Sequence, residues 1–235
     1  MFEYTPYHVT LFTPSAIREK SYLINDFYHK TIEDILFAFQ SIPPYTERLD
    51  LSENDLYLWI DEIIKAFHLS GVEITSLDLS NNCLGIVETS QLSQLFSLLS
   101  VAEIDLNGNE LSKNLQIGHA FKALATNKNL ISVNLGANHF NKQPIDLLCQ
   151  IIDELPPSLE KLVLSENYLG EKKLNELETF CAHLSRHRNL KTLDLHNNFF
   201  DEEQIEKIKK YLHPSVNILF GEETNHEEKQ HGFSI

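Results

Sequence analysis

The stretch "CAHLSRH" at 181–187 puts a thiol and two imidazoles, Cys181, His183 and His187, close together. Such a cluster invites two kinds of chemistry, metal ligation and a thiol–imidazole nucleophile. The surrounding "LNELETFCAHL" has apolar residues at helical spacing, and on a helix positions i and i+2 point to different faces, so Cys181 and His183 do not converge. The rest of the chain has no phosphate-cradling glycine loop, no paired metal-ligand spacing and no nucleophile elbow. The expectation is a protein with no catalytic residues, no metal and no cofactor. A different group recurs at wide intervals. Asp50, Asp78, Asp105 and Asp194, with Asn134 and Val163 between them, occupy one position of a repeated phrase. Brought side by side, such carboxylates could take a cation or a basic peptide; they could equally be the exposed charge that keeps a sheet soluble.

The phrase that would align them reads "LDLSENDL" at 49–56 and "LDLSNNCL" at 77–84, then "IDLNGNEL", "VNLGANHF", "LVLSENYL" and "LDLHNNFF". Its asparagines are Asn54, Asn82, Asn109, Asn138, Asn167 and Asn198, spaced 28, 27, 29, 29 and 31 residues apart. Three residues before each phrase stands a small or apolar residue: Thr46, Ile74, Val101, Leu130, Leu159 and Leu190. The result is the pattern L-x-x-L-x-L-x-x-N-x-L, which resembles the leucine-rich repeat. Repeats of this length with full helices resemble its ribonuclease-inhibitor-like subclass.

Each L-x-L is a short strand with alternate side chains turned inward. Between phrases, "LYLWIDEIIKAFH", "QLSQLFSLL", "AFKALA", "IDLLCQIIDEL", "LNELETFCAHL" and "EEQIEKIKKYL" predict helices. Strands stack about 4.8 Å apart and helices need about 8 to 10 Å, so an array with strands inside must curve. The expected fold is α/β, a right-handed leucine-rich-repeat solenoid or horseshoe with a concave parallel β-sheet and convex α-helices. Asparagine ends each strand, its amide satisfying backbone groups freed at the turn. Asp201 to Gln204 has capping-box spacing, and Pro144 suits a first helical turn.

The expected organisation is a cap at 1–45, six repeats at 46–212, a closing strand in 213–221, which contains "VNILF", and an acidic flexible tail at 222–235. The first 45 residues hold 10 of the 23 aromatic residues: Phe2, Tyr4, Tyr7, Phe12, Tyr22, Phe27, Tyr28, Phe37, Phe39 and Tyr45. They serve either a cap, with "HVTLF" as edge strand and "TIEDILFAFQSI" as first convex helix, or a binding surface.

With 34 acidic against 19 basic residues the formal charge is −15, which repels phosphate backbones and anionic membranes, so neither nucleic acid nor membrane is an expected partner. No apolar run approaches the roughly 20 residues that span a bilayer. The start "MFEYTPYHVTLF" lacks the basic and apolar regions of a signal peptide. Three cysteines, Cys83, Cys149 and Cys181, read as buried free thiols of a reducing compartment.

The residue after each asparagine runs Asp55, Cys83, Glu110, His139, Tyr168, Phe199, from polar to aromatic. It borders the concave face, whose outward residues are mostly small: Ser52, Ser80, Asn107, Gly136 and Ser165, with His196 last. Aromatics there suit a protein interface, though they could instead pack over the next turn. The tail "GEETNHEEKQHGFSI", with Glu222, Glu223, Glu227, Glu228 and Phe233, resembles the glutamate-rich C-terminal signal of Dot/Icm (type IVB) secretion substrates. Together with the repeats it makes the chain resemble leucine-rich-repeat effectors that intracellular bacteria deliver into host cells. Some of those carry a ubiquitin ligase with a Cys-x-Asp nucleophile, a sequence absent here. The resemblance implies a monomeric, non-enzymatic module, made in the bacterial cytoplasm and secreted to the host cytosol, that binds a host protein through Asp50, Asp78, Asp105, Asn134, Val163, Asp194, His196, His139, Tyr168 and Phe199. Two other readings stand: a small-GTPase regulator resembling the Ran GTPase-activating proteins, for which Arg48 is the one arginine on a predicted strand, and a bacterial structural protein with no host role.

Overall fold

The computed structural model describes residues 21–27 and 30–221. The expected "HVTLF" strand, the acidic tail, and Phe2, Tyr4, Tyr7, Phe12 and Tyr28 lie outside these residues. Among the described residues the chain forms eight three-residue strands: β1 Ser21–Leu23, β2 Arg48–Asp50, β3 Ser76–Asp78, β4 Glu103–Asp105, β5 Ser132–Asn134, β6 Lys161–Val163, β7 Thr192–Asp194 and β8 Asn217–Leu219. They lie parallel in chain order in one sheet, so each strand pairs only with its sequence neighbours. Register follows the repeat: Leu49 faces Leu77, Ile104 faces Val133, and Leu162 faces Leu193. These central residues are buried, as is the leucine two positions on in each repeat (Leu51, Leu79, Leu106, Leu135, Leu164, Leu195).

The helices are α1 Ile32–Gln40, α2 Ile60–Ser70, α3 Thr89–Leu98, α4 Ile117–Leu124, α5 Ile145–Glu154, α6 Leu174–Leu184 and α7 Glu202–Tyr211. Each packs on the next in order. Short 3-10 turns, such as Leu84–Ile86 and Leu169–Glu171, lead from strand to helix. Helix α1 opens on a capping box in which Thr31 accepts from Asp34 N–H and Asp34 from Thr31 N–H. Asp201 and Gln204 do the same for α7, at 2.8 and 3.0 Å, as their spacing predicts. Pro144 stands one residue earlier than expected, at the N-cap of α5 rather than in its first turn. That position also needs no N–H.

The asparagines tie the coils together. The Asn109 amide donates to Leu79 O of the preceding coil at 2.8 Å and to Asn107 O of its own turn at 3.3 Å. Its carbonyl accepts from Asn82 N–H at 3.0 Å and Leu84 N–H at 3.2 Å. The same set recurs at Asn82, Asn138, Asn167 and Asn198, all essentially without solvent contact. Each side chain thereby satisfies backbone groups of two coils that no strand or helix serves.

A second set of ties runs beside the 3-10 turns. Gly85 N–H reaches Asn109 O, and Gly170 N–H reaches Asn198 O, each at 2.8 Å. Glycine is required there, because a Cβ on Gly85 would lie 2.0 Å from Glu110 O, and one on Gly170 would lie 2.2 Å from Phe199 O. Where Asn141 and Ser112 fill the same position, the bond lengthens to 3.2 and 3.4 Å.

The first coil departs from the pattern. Strand β1 falls in a segment the repeat does not mark, and Phe27 sits where later coils carry asparagine, 1% exposed. Ile24 O still accepts from the Asn54 amide at 2.8 Å, so the second coil can hang on the first.

Replacing Asn109 by leucine would strand Asn82 N–H and Leu84 N–H together and leave Leu79 O with the Asn82 amide alone. We expect Asn109→Leu to lower stability by about 1 to 3 kcal/mol, read as a lower denaturant midpoint, with the coils beside it losing amide-exchange protection first.

Candidate functional site

The aspartates of the concave face hold the turns as well as lining it. Asp50 Oδ1 accepts from Ser52 N–H at 3.0 Å, Asp78 from Ser80 N–H at 3.0 Å, Asp105 from Asn107 N–H at 2.9 Å and Asp194 from His196 N–H at 3.0 Å. Asn134 does the same for Gly136 N–H at 2.9 Å. Val163 is the member of the column with no side-chain acceptor. An oxygen two residues before an amide closes an Asx-turn, which is a local reason for aspartate or asparagine at the end of each strand.

The second oxygen is also engaged in two of the carboxylates. Asp78 Oδ2 accepts from Arg48 Nη2 at 2.6 Å, and Asp105 Oδ2 from the Asn134 amide at 2.9 Å. Burial holds the Asp105 carboxyl above the usual carboxylate range. In Asp194 it is the same oxygen, Oδ1, that accepts from His196 N–H and contacts His196 Nδ1, the latter at 2.6 Å. The column is a row of partly satisfied groups, half-buried except for the buried Asp78, and Arg48, on which a GTPase-regulating reading depends, is engaged within it.

The residues that follow the asparagines carry a different feature. Asp55, Cys83, Glu110, His139, Tyr168 and Phe199 all have left-handed backbone, with φ between 50° and 62°. The turn demands this. Asparagine, aspartate and histidine tolerate that region, whereas a bulky aromatic is out of place in it. Because the same angles recur one coil apart, the three C-terminal side chains lie over one another. The His139 and Tyr168 rings are 6.3 Å apart at 18°, and those of Tyr168 and Phe199 are 5.6 Å apart at 25°. The stack faces solvent, with Tyr168 39% and Phe199 64% exposed.

The sequence brings His139, Tyr168 and Phe199 into one column, and the structure keeps them there. What sequence reasoning missed is their backbone strain and face-to-face stacking, although Phe199 placed directly after an asparagine that ends a strand was the available signal.

The thiol and imidazole groups of 181–187 do not form a site. Cys181 is buried inside α6, His183 Nδ1 contacts Asp153 Oδ1 at 2.8 Å, and His187 Nε2 contacts Ile152 O at 2.8 Å. Among the described residues no group of three or more His, Cys, Asp and Glu side chains is placed to hold a metal ion.

A parallel sheet grown one strand per coil, with a buried asparagine ending each of β2 to β7 and helices returning the chain, defines a leucine-rich-repeat solenoid, the class of fold that serves in general as an interaction module rather than an enzyme. A family model described as Leucine Rich Repeat matches residues 189–210. The chain is similar to the leucine-rich repeat-containing protein LegL7 from Legionella pneumophila, with a TM-score of 0.71 and 27% identity over 83% of this chain and 62% of that one. It is also 32% identical over 102 residues to the mouse (Mus musculus) NACHT, LRR and PYD domains-containing protein 9B, and 26% identical over 160 residues to mouse NACHT, LRR and PYD domains-containing protein 14. Those matches take in 43% and 65% of this chain but only 10% and 15% of the curated relatives.

Burial pushes the Cys149 and Cys181 thiols up to about 12 from an ordinary 9.0. Both groups keep their protons in the folded chain over a range where the unfolded chain releases them. Their contribution to stability is therefore whole below pH 9 and is lost as pH rises toward 12. We expect neither thiol to be alkylated at pH 8 by an added maleimide until denaturant is present, as read by mass spectrometry, and the melting temperature to fall progressively above pH 9.

Proposed function

We propose that this chain is a protein-recognition module whose docking surface runs from the concave face onto the edge formed by His139, Tyr168 and Phe199. The observation that carries the reading is the exposed ring stack on left-handed backbone. Two bulky aromatics occupy turn positions where asparagine or glycine would be less strained, and their faces are left to water. Strain retained at exposed positions is a mark of use, and aromatic anchors dominate binding energy at protein interfaces. The small residues beside them, Gly136 and Ser165, leave room for a partner to approach. The carboxylates Asp50, Asp78, Asp105 and Asp194 give the concave face a field that favours a basic partner and speeds its approach, with Asn134, Val163 and His196 completing the contact surface.

The finer reading is a monomeric ribonuclease-inhibitor-like repeat protein that an intracellular bacterium delivers through a Dot/Icm (type IVB) system into the host cytosol, where it occupies or scaffolds a host protein. Support comes from the similarity to a Legionella leucine-rich repeat-containing protein and from the glutamate-rich sequence with Glu222, Glu223, Glu227, Glu228 and Phe233. No helix among the described residues is long and apolar enough to cross a membrane.

Host-cell lysate passed over the immobilised chain, with bound proteins identified by mass spectrometry, tests the docking surface when a Tyr168→Asn/Phe199→Asn variant is run beside it. Asparagine relieves the strain and removes the rings. We expect the specific partner to bind about 2 to 4 kcal/mol more weakly with the melting temperature unchanged or raised. A lowered melting temperature would assign the rings to packing instead. Delivery is tested separately: removal of residues 222–235 should abolish type IVB translocation of a reporter fusion without changing the melting temperature, and undiminished translocation would overturn that part of the reading.

A further inference from the structure

The edge that carries the ring stack is electrically polarised along its length. At the His139 end stand the exposed lysines Lys113 and Lys142, the former bound to Glu110 at 2.7 Å. At the Phe199 end the turns and the first turn of α7 present Glu166, Asp201, Glu202 and Glu203, all exposed, while Glu171 takes the Asn141 amide at 2.7 Å toward the other end. Lys207, one turn along α7 from Glu203, is bound to Glu178, and Lys172 and Lys173 stand on the preceding coil. Lys172 is buried and turned toward the Asn141 and Gln143 carbonyls, which leaves Lys173 exposed. The most open ring of the stack thus lies at its acidic end.

We propose that this end of the stack takes an arginine side chain of the partner protein, its guanidinium lying flat on the Phe199 ring and its N–H edge turned to the surrounding carboxylates. The inference rests on the docking surface proposed above and adds to it the chemistry of the residue that docks. A ring face is an electron-rich surface that attracts a cation, and the attraction grows as water is excluded. An aliphatic or aromatic partner residue would satisfy the ring but cover the carboxylates without giving them a donor, which is costly. Lysine would meet the charge but is a compact, strongly hydrated point. Guanidinium is planar and weakly hydrated, and it presents several donors in its plane while its face is stacked. The same end of the fold already pairs a cation with a ring internally, with Lys209 Nζ 6.0 Å from the Phe220 centroid. Phe199, unlike Phe220, has its face open to solvent.

The test uses two peptides of equal charge, fluorescein-labelled hexa-arginine and hexa-lysine, titrated against the full chain at physiological salt and followed by anisotropy. We expect hexa-arginine to bind roughly fivefold or more tightly than hexa-lysine. Phe199→Leu keeps apolar bulk but removes the ring face, so the preference should collapse toward unity while hexa-lysine affinity stays the same. Glu202→Gln with Glu203→Gln leaves the rings in place and should weaken both peptides together, keeping the ratio. Equal binding of the two peptides by the parent chain, or a ratio unmoved by Phe199→Leu in a variant that melts normally, overturns the proposal. If the host partner is nevertheless lost from the Tyr168→Asn/Phe199→Asn variant, the docking surface stands and only the arginine assignment falls.

Discussion

The buried asparagine amide is the interaction on which everything else here depends. A strand of three residues makes too few ladder bonds to hold a coil, and the chain leaves the sheet at once into a turn whose N–H and C=O groups have no regular partner. Buried and unpaired, each such group would cost on the order of 1 to 3 kcal/mol. One side chain with donors on one atom and an acceptor on the other resolves this for two coils together, as Asn109 does for its own turn and for Asn82, Leu84 and Leu79. Aspartate would lack the donor and leucine both functions. The repetition of the phrase is the repetition of that requirement.

Satisfying the amide also fixes the conformation around it. The residues on either side of all six asparagines have positive φ, as with Glu166 and Tyr168 around Asn167. The position after the asparagine is thrown outward, away from the core, at the rim between sheet and 3-10 turn. Side chains there gain little from the fold and are free to serve something outside it. The scaffold and the candidate site are therefore not separate inventions: the geometry that closes each coil also aims one side chain per coil at solvent, in a column with coil-to-coil spacing.

Much of this was legible in the residues, for physical reasons that differ from element to element. The strands and helices could be read because Leu49, Leu77, Ile104, Val133, Leu162 and Leu193 must all point inward, and the capping box at Asp201 because its side chains act only on adjacent backbone. The strand of the first coil was missed because Phe27 replaces the asparagine, although it stands 27 residues ahead of Asn54, within the repeat's own spacing, whereas the helix of that coil, α1, lies within "TIEDILFAFQSI" as expected. The aspartate column was read for its charge, while its local task, closing the turn onto Ser52, Ser80, Asn107 and His196, lies in bonds two residues long that a column-by-column comparison does not display. The polar-to-aromatic trend into His139, Tyr168 and Phe199 was visible. Their stacking was not, since it depends on backbone angles that the side chains themselves disfavour.

The bonds beside the 3-10 turns have a mechanical meaning. With glycine at 85 and 170 the neighbouring turns close to 2.8 Å, while Ser112 and Asn141 hold theirs at 3.4 and 3.2 Å. The joints of the solenoid are thus unequal in this one bond, closest at Gly85 and Gly170 and wider at Ser112 and Asn141. Within the ring stack itself the two kinds of joint meet, since the coils of His139 and Tyr168 are joined through Asn141 and those of Tyr168 and Phe199 through Gly170, so the last two rings ride on the more closely joined pair of coils.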